Sequence, residues 1–186
     1  MNEQPVVRLR GVSKHFGATR ALVDVTLDIM PGTIVGVLGP NGSGKTTLMS
    51  HLPGLLLPTA GTVETFGQPA AQLDDATLAR IGYVSQEPRL MEWLTVAEAI
   101  DFVRAGRLTW DDALSDRLLA DFALEPGKRV SALSPGLRQR LAILLAVAPQ
   151  PDLLLLDEPA ASLDPVARHD FLLLLMELIQ EEGRTI

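Results

Sequence analysis

The chain has 186 residues, 47% hydrophobic and 21% charged, a globular composition that supplies one substantial core and excludes disorder, collagen and coiled coil as descriptions of the whole. The length favours one compact unit with an inserted piece over two domains with separate cores. With no cysteine, disulfide frameworks, thiol nucleophiles and Cys-based zinc sites are excluded, and a net charge of −7 repels polyphosphate unless positive potential is concentrated locally, so nucleic acid is a poor default partner.

The first residues, MNEQPVVRLR, have no apolar leader core, and no apolar run is long enough for a bilayer crossing, so a soluble chain is expected. Val6 to Leu9 and Val23 to Ile29 alternate apolar and polar residues, which predicts half-exposed strands of an antiparallel layer. Ile34 to Leu38 is apolar throughout and runs straight into GPNGSGKTT; it reads as a strand buried on both faces that feeds a loop and then a helix. Thr62 to Glu64 and Ile81 to Val84 are further short strands. From Leu94 to about Ala123 the period turns helical, with Val96, Ala99, Ile100 and Val103 on one stripe and Leu114, Leu118, Leu119 and Phe122 on a second. Ser134-Pro135 predicts a helix start, because serine caps free N–H groups and proline at the next position loses nothing; Pro149 and Pro151 end that helix. Leu153 to Leu156 is a second strand buried on both faces, closing on Asp157-Glu158-Pro159, and Val166 to about Glu182 reads as an apolar-faced helix stopped by Gly183.

Chemistry concentrates in two places. Residues Gly39, Pro40, Asn41, Gly42, Ser43, Gly44, Lys45 and Thr46 match G-x-x-x-x-G-K-[ST] in full, and Thr47 follows. Glycines let the backbone curl until successive N–H groups point at phosphate oxygens, and the following helix adds its positive end. Lys45 then supplies a mobile cation for β and γ phosphates, and the Thr46 hydroxyl is placed to ligate Mg²⁺. A phosphoryl-transfer site also needs acids at the end of a neighbouring buried strand. LLLLDEP delivers Asp157 for the magnesium shell and Glu158 to polarise or deprotonate an attacking water.

With these residues in order, the chain resembles the nucleotide-binding subunit of ATP-binding cassette (ABC) transporters over nearly its whole length. The resemblance implies an α/β fold: a RecA-like P-loop NTPase core with an N-terminal antiparallel β layer, the core formed by residues 1–87 and 148–186, and an inserted α-helical signature subdomain at 88–147. It places Phe16 as the aromatic that stacks on adenine and Gln86, in GYVSQEP, as the glutamine that reaches Mg²⁺ and the attacking water. LSPGLRQR, from Leu133 to Arg140, resembles the signature LSGGQRQR, so Ser134 and Gly136 would contact ATP held by a second subunit. ASLDP, from Ala161 to Pro165, resembles the loop that crosses the dimer interface, with Asp164 as its carboxylate. The implied activity is an ATPase: catalytic Lys45, Gln86 and Glu158, with Mg²⁺ held by Thr46, Gln86 and Asp157, drive closure and reopening of a homodimer or of a pair with a sister subunit. A separate transmembrane permease would be powered by it, and the subunit would lie in the cytoplasm, peripheral on the inner face of the membrane and touching it only through the permease.

Two departures from the signature stand out. Pro135 removes one backbone N–H and Leu137 removes a side-chain donor and acceptor, which weakens nucleotide-driven closure by about 1–3 kcal/mol. They leave open a second reading, a nucleotide-gated module that holds ATP and turns it over slowly. The family's switch histidine follows the strand after the last helix, where this sequence reads Gly183-Arg184-Thr185-Ile186; His15, His51 and His169 do not match that position and read as surface or packing residues. An exposed sheet edge and a tendency to aggregate are expected from that end of the chain. Trp93 and Trp110 flank the helical piece as core or partner-facing anchors.

Overall fold

The structure, a computed structural model, describes residues 4–160, 168–169, 171–173, 176 and 184–186. Strand β1 (Val7–Phe16) and strand β2 (Thr19–Ile29) form a hairpin closed by Gly17-Ala18, with Phe16 opposite Thr19. Strand β3 (Ala60–Thr65) pairs antiparallel with the other side of β1, and β4 (Gln68–Pro69) returns along β3 through Phe66-Gly67, both at positive φ as a tight hairpin turn requires. The sheet order is β2-β1-β3-β4, the antiparallel layer that the alternating pattern predicts.

Strands β5 (Ile81–Val84) and β6 (Leu153–Leu156) are parallel, with Ile81 opposite Leu153 and Val84 opposite Leu156. β6 is buried on both faces, as its unbroken leucine run predicts. Leu153 and Leu155 join the cluster under the antiparallel layer, where Leu9, Val12, Leu52 and Val63 pack, and Leu154 joins the helical cluster on the other side.

Helix α1 (Lys45–His51) follows the glycine loop, and the short α2 (Asp75–Ala79) precedes β5. Helices α3 (Val96–Ala105), α4 (Asp112–Asp121) and α5 (Pro135–Val147) bury Val96, Ile100, Leu114, Leu118, Leu141 and Leu144 in one core with Phe171, so both predicted stripes face inward. α5 lies so close to β5 that a Cβ on Gly82 would sit 2.6 Å from the Ala146 carbonyl oxygen. Ser134 caps α5 through Leu137 N–H and Pro135 occupies its first turn, as read from the sequence. Asp164 and the rest of Ala161 to Pro165 lie outside the described residues, as does most of the helix expected from Val166 to Glu182.

One expected strand is corrected. Ile34 to Leu38 forms no strand and is not buried on both faces: Ile34 is 61% and Leu38 94% exposed. The cause is pairing, not composition. Thr185 bonds to β6 at Asp152 and Leu154, and Ile186 bonds on its other side to Thr33 and Val35, so these two residues alone separate the segment from β6. Beyond Val35 the segment has no ladder partner among the described residues.

Candidate functional site

The loop from Gly39 to Gly44 is shaped by close approach. Gly44 has φ 97°, and a Cβ there would stand 2.4 Å from the Ala21 carbonyl oxygen, so only glycine fits. Ser43 N–H donates to the Pro40 carbonyl across a turn at 3.2 Å. α1 then begins with no side chain capping its first amides and no acidic residue in its first turn. Side chains cap the other four α-helices among the described residues: Asp74, Thr95 together with Glu98, Asp111 and Ser134. α1 alone keeps its positive end unsatisfied.

Lys45, the first residue of α1, folds its Nζ back onto the Gly39 and Pro40 carbonyls at 3.1 and 3.2 Å and stands 3.5 Å from Glu158 Oε1. Gln86 Nε2 donates to Glu158 Oε2 at 3.3 Å. The structure thus brings Lys45, Glu158 and Gln86, which are far apart in sequence, into one contact chain at the ends of β5, β6 and the loop. Asp157 N–H donates to the Val84 carbonyl at 2.9 Å, which fixes the Asp157-Glu158 pair against β5. Glu158 has φ 47°, a left-handed backbone for a residue that does not favour it, and such strain is held only where surrounding contacts impose it.

Asp157 is 2% exposed, and its Oδ2 has no hydrogen-bond partner among the described residues. A buried carboxylate oxygen without a donor is costly unless a cation or ligand completes it. No group of three or more His, Asp or Glu side chains able to hold a metal occurs among the described residues, so an ion at Asp157 would take most of its ligands from elsewhere. That is the habit of Mg²⁺, which binds through one or two protein oxygens together with phosphate oxygens and water. The residues present fit that ion.

Three neighbours complete the surroundings, and two of them, Tyr83 and Gln139, have no site role in the sequence reading. Tyr83, beside Ser50 and Asp157, has its phenol pushed above its ordinary pKa by burial, against the Ser50 hydrogen bond that lowers it. His51 is wholly buried in α1, its Nδ1 2.6 Å from the Thr47 carbonyl oxygen; the packing reading of this histidine holds. Gln139, in α5, is buried with its Nε2 3.5 Å from the Ser85 carbonyl oxygen. A polar residue on the inward stripe of an apolar helix was the available signal. The remaining predicted residues lie apart. Phe16 is 50% exposed at the end of β1, with Lys14 Nζ 5.2 Å from its ring centre. Ser134 is exposed and Gly136 half-buried at the start of α5, and neither bonds to the glycine loop among the described residues.

The sequence model of the family described as ABC transporter matches residues 22–161. The chain belongs to the ABC transporter family. The ABC chain is 37% identical over 188 residues to the taurine import ATP-binding protein TauB of Jannaschia sp. (strain CCS1), covering 96% of this chain and 69% of that protein. It is 36% identical over 187 residues to the aliphatic sulfonates import ATP-binding protein SsuB of Escherichia coli O6:K15:H31, covering all of this chain and 71% of the relative. Against the YdbJ ABC transporter ATP-binding protein of Bacillus subtilis, at 33% identity, it spans 60% of the relative's length. Among solved structures, the dimeric post-hydrolysis state of the ATP-binding cassette MJ0796 bound to ADP and Pi superposes with a TM-score of 0.82 at 30% identity, covering 96% of this chain and 85% of that one. The RecA-like P-loop fold follows from that likeness. No helix among the described residues is long and apolar enough to cross a membrane.

Proposed function

We propose that this chain binds Mg-ATP on the Gly39–Thr47 loop and hydrolyses it as the ATP-binding subunit of a membrane importer. The observation that carries the reading is the one uncapped α-helix start among the described residues, set beside Lys45 and the donorless Asp157 oxygen. The loop amides and α1 receive the phosphates, and Lys45 exchanges its two loop carbonyls for phosphate oxygens. Thr46, Gln86 and Asp157 would hold Mg²⁺, which when bound neutralises phosphate charge. Glu158, freed from Lys45, accepts the proton of the attacking water, and Gln86, which already reaches Glu158, helps to orient that water. Phe16 stacks on the purine.

Ser134, Gly136 and Asp164 act on the nucleotide of a second subunit, either a copy of this chain or a sister, so that two Mg-ATP are sandwiched head to tail. Two dimeric structures of the similar cassette MJ0796 support the pairing of two subunits. Residues 88–147 move as the signature subdomain against a core of 1–87 and 148–186. An open groove between them, lined by Leu55, Leu78, Tyr83 and Phe102, carries three exposed large apolar side chains and suits a permease segment. The subunit then works on the cytoplasmic face of the membrane, and import is the direction in the names of the relatives.

Calorimetry with Mg-ATP and steady-state turnover test the reading. Lys45→Ala is expected to weaken binding about 10–100-fold, and Glu158→Gln to keep binding while turnover falls about 100-fold. A folded parent that gives no heat, indistinguishable from Lys45→Ala, overturns it. The altered signature favours a second reading, a nucleotide-gated module with little hydrolysis: Pro135 presents no N–H, and the Leu137 N–H is spent on Ser134 Oγ at 3.3 Å. Intact binding with slow turnover that Pro135→Gly and Leu137→Gln together fail to raise would select it.

A further inference from the structure

Gln139 is 1% exposed in the middle of α5, followed by the apolar run from Leu141 to Val147. An amide in such a place costs stability unless bonded, and an apolar side chain would serve packing better. Its Nε2 donates to the Ser85 carbonyl at 3.5 Å, a long bond, and its Oε1 has no hydrogen-bond partner among the described residues. The carbonyl it reaches belongs to the residue immediately before Gln86. Ser85 Oγ in turn donates to the Glu87 carbonyl at 3.1 Å, which folds the backbone tightly around Gln86. Gln86 Nε2 then reaches Glu158 Oε2. A continuous path of side-chain and backbone bonds therefore runs from α5 to the carboxylate beside Lys45.

We infer that Gln139 is a positioning residue: it fixes the Ser85 carbonyl and, through the turn, the reach of Gln86 toward Glu158. Because α5 is one unbroken helix from Pro135, movement at its Ser134 end is delivered to the Ser85 carbonyl through Gln139. The consequence for turnover rests on the reading of Gln86 and Glu158 given above; the placement of the Gln86 turn does not.

Gln139→Met keeps length and removes donor and acceptor; Gln139→Leu replaces it if the methionine variant does not fold. Hydrogen exchange at the Gln86 and Glu87 amides in the nucleotide-free protein is expected to be about tenfold faster than in the parent, with the thermal midpoint preserved. In turnover, kcat is expected to fall about five- to tenfold, with the affinity for ATP measured without magnesium unchanged. The same substitution made on Gln86→Ala is expected to cost nothing further. Unchanged exchange at these amides, or an equal loss of kcat in the Gln86→Ala background, overturns the assignment. A folded parent that gives no heat with Mg-ATP sinks the nucleotide reading instead, and the exchange result then decides the positioning role by itself.

Discussion

The starts of α1 and α5 are built from the same element and finished in opposite ways. α5 is closed: Ser134 Oγ takes the Leu137 N–H, and Pro135 removes a donor that would otherwise need a partner. α1 is open: Gly44 precedes it in a left-handed conformation, no side chain reaches its amides, and its only cation is folded onto the loop. Within one chain the capped start of α5 serves stability, whereas the uncapped start of α1 is the one that takes the phosphates on the reading proposed above; Ser134 acts there only across to a second subunit. The difference separates two kinds of substitution that would otherwise look alike.

Breaking the open end is expected to have the largest effect. Gly44→Ala puts a Cβ against the Ala21 carbonyl at φ 97°, and calorimetry should find Mg-ATP binding weakened about 100-fold or more. Asp157→Asn sharpens the contrast from the metal side. Binding of ATP without magnesium is expected to persist while the gain from added Mg²⁺ disappears, read by titrating nucleotide with and without the ion. At the closed end, Ser134→Ala should leave the nucleotide affinity of a single chain unchanged and lower stability by about 1 kcal/mol, measured by urea unfolding. The smallest effect concerns the best-capped helix. Glu98, held by the Thr95 backbone N–H first and by the Thr95 hydroxyl second, has its pKa lowered from 4.5. A lowered folded pKa means a contribution present above 4.5 and lost as pH falls through the folded value. Glu98→Gln should therefore flatten the acid limb of stability below that pH, visible in thermal midpoints.

Much of this was legible from residue pattern alone. The β1–β2 layer, β5, β6, the stripes of α3 and α4, and the Ser134-Pro135 start all follow from periodicity and capping, which are local. The family resemblance carried Gln86, whose own loop has no chemical signal; its contact with Glu158 spans 72 residues of sequence. What failed is instructive. Ile34–Leu38 and Leu153–Leu156 are both apolar runs, but a strand exists only where a neighbour completes its ladder: β6 pairs with β5 along all four of its residues, whereas among the described residues Ile34–Leu38 is bonded only through Val35 to Ile186. Hydrophobicity records the capacity for burial and not the partner. The left-handed Glu158 was invisible for a related reason, since it is set by contacts across the fold, and the stripe position of Gln139 does not reveal its Ser85 partner.

The twisted backbone at Glu158 has a cost that evolution cannot remove for free. Glycine there would relax the chain, and asparagine would tolerate it, each recovering roughly 1–2 kcal/mol by the usual penalty for left-handed residues. A library sorted for thermal robustness alone is thus driven toward losing its carboxylate, so hardier descendants of this protein would tend to be idle ones.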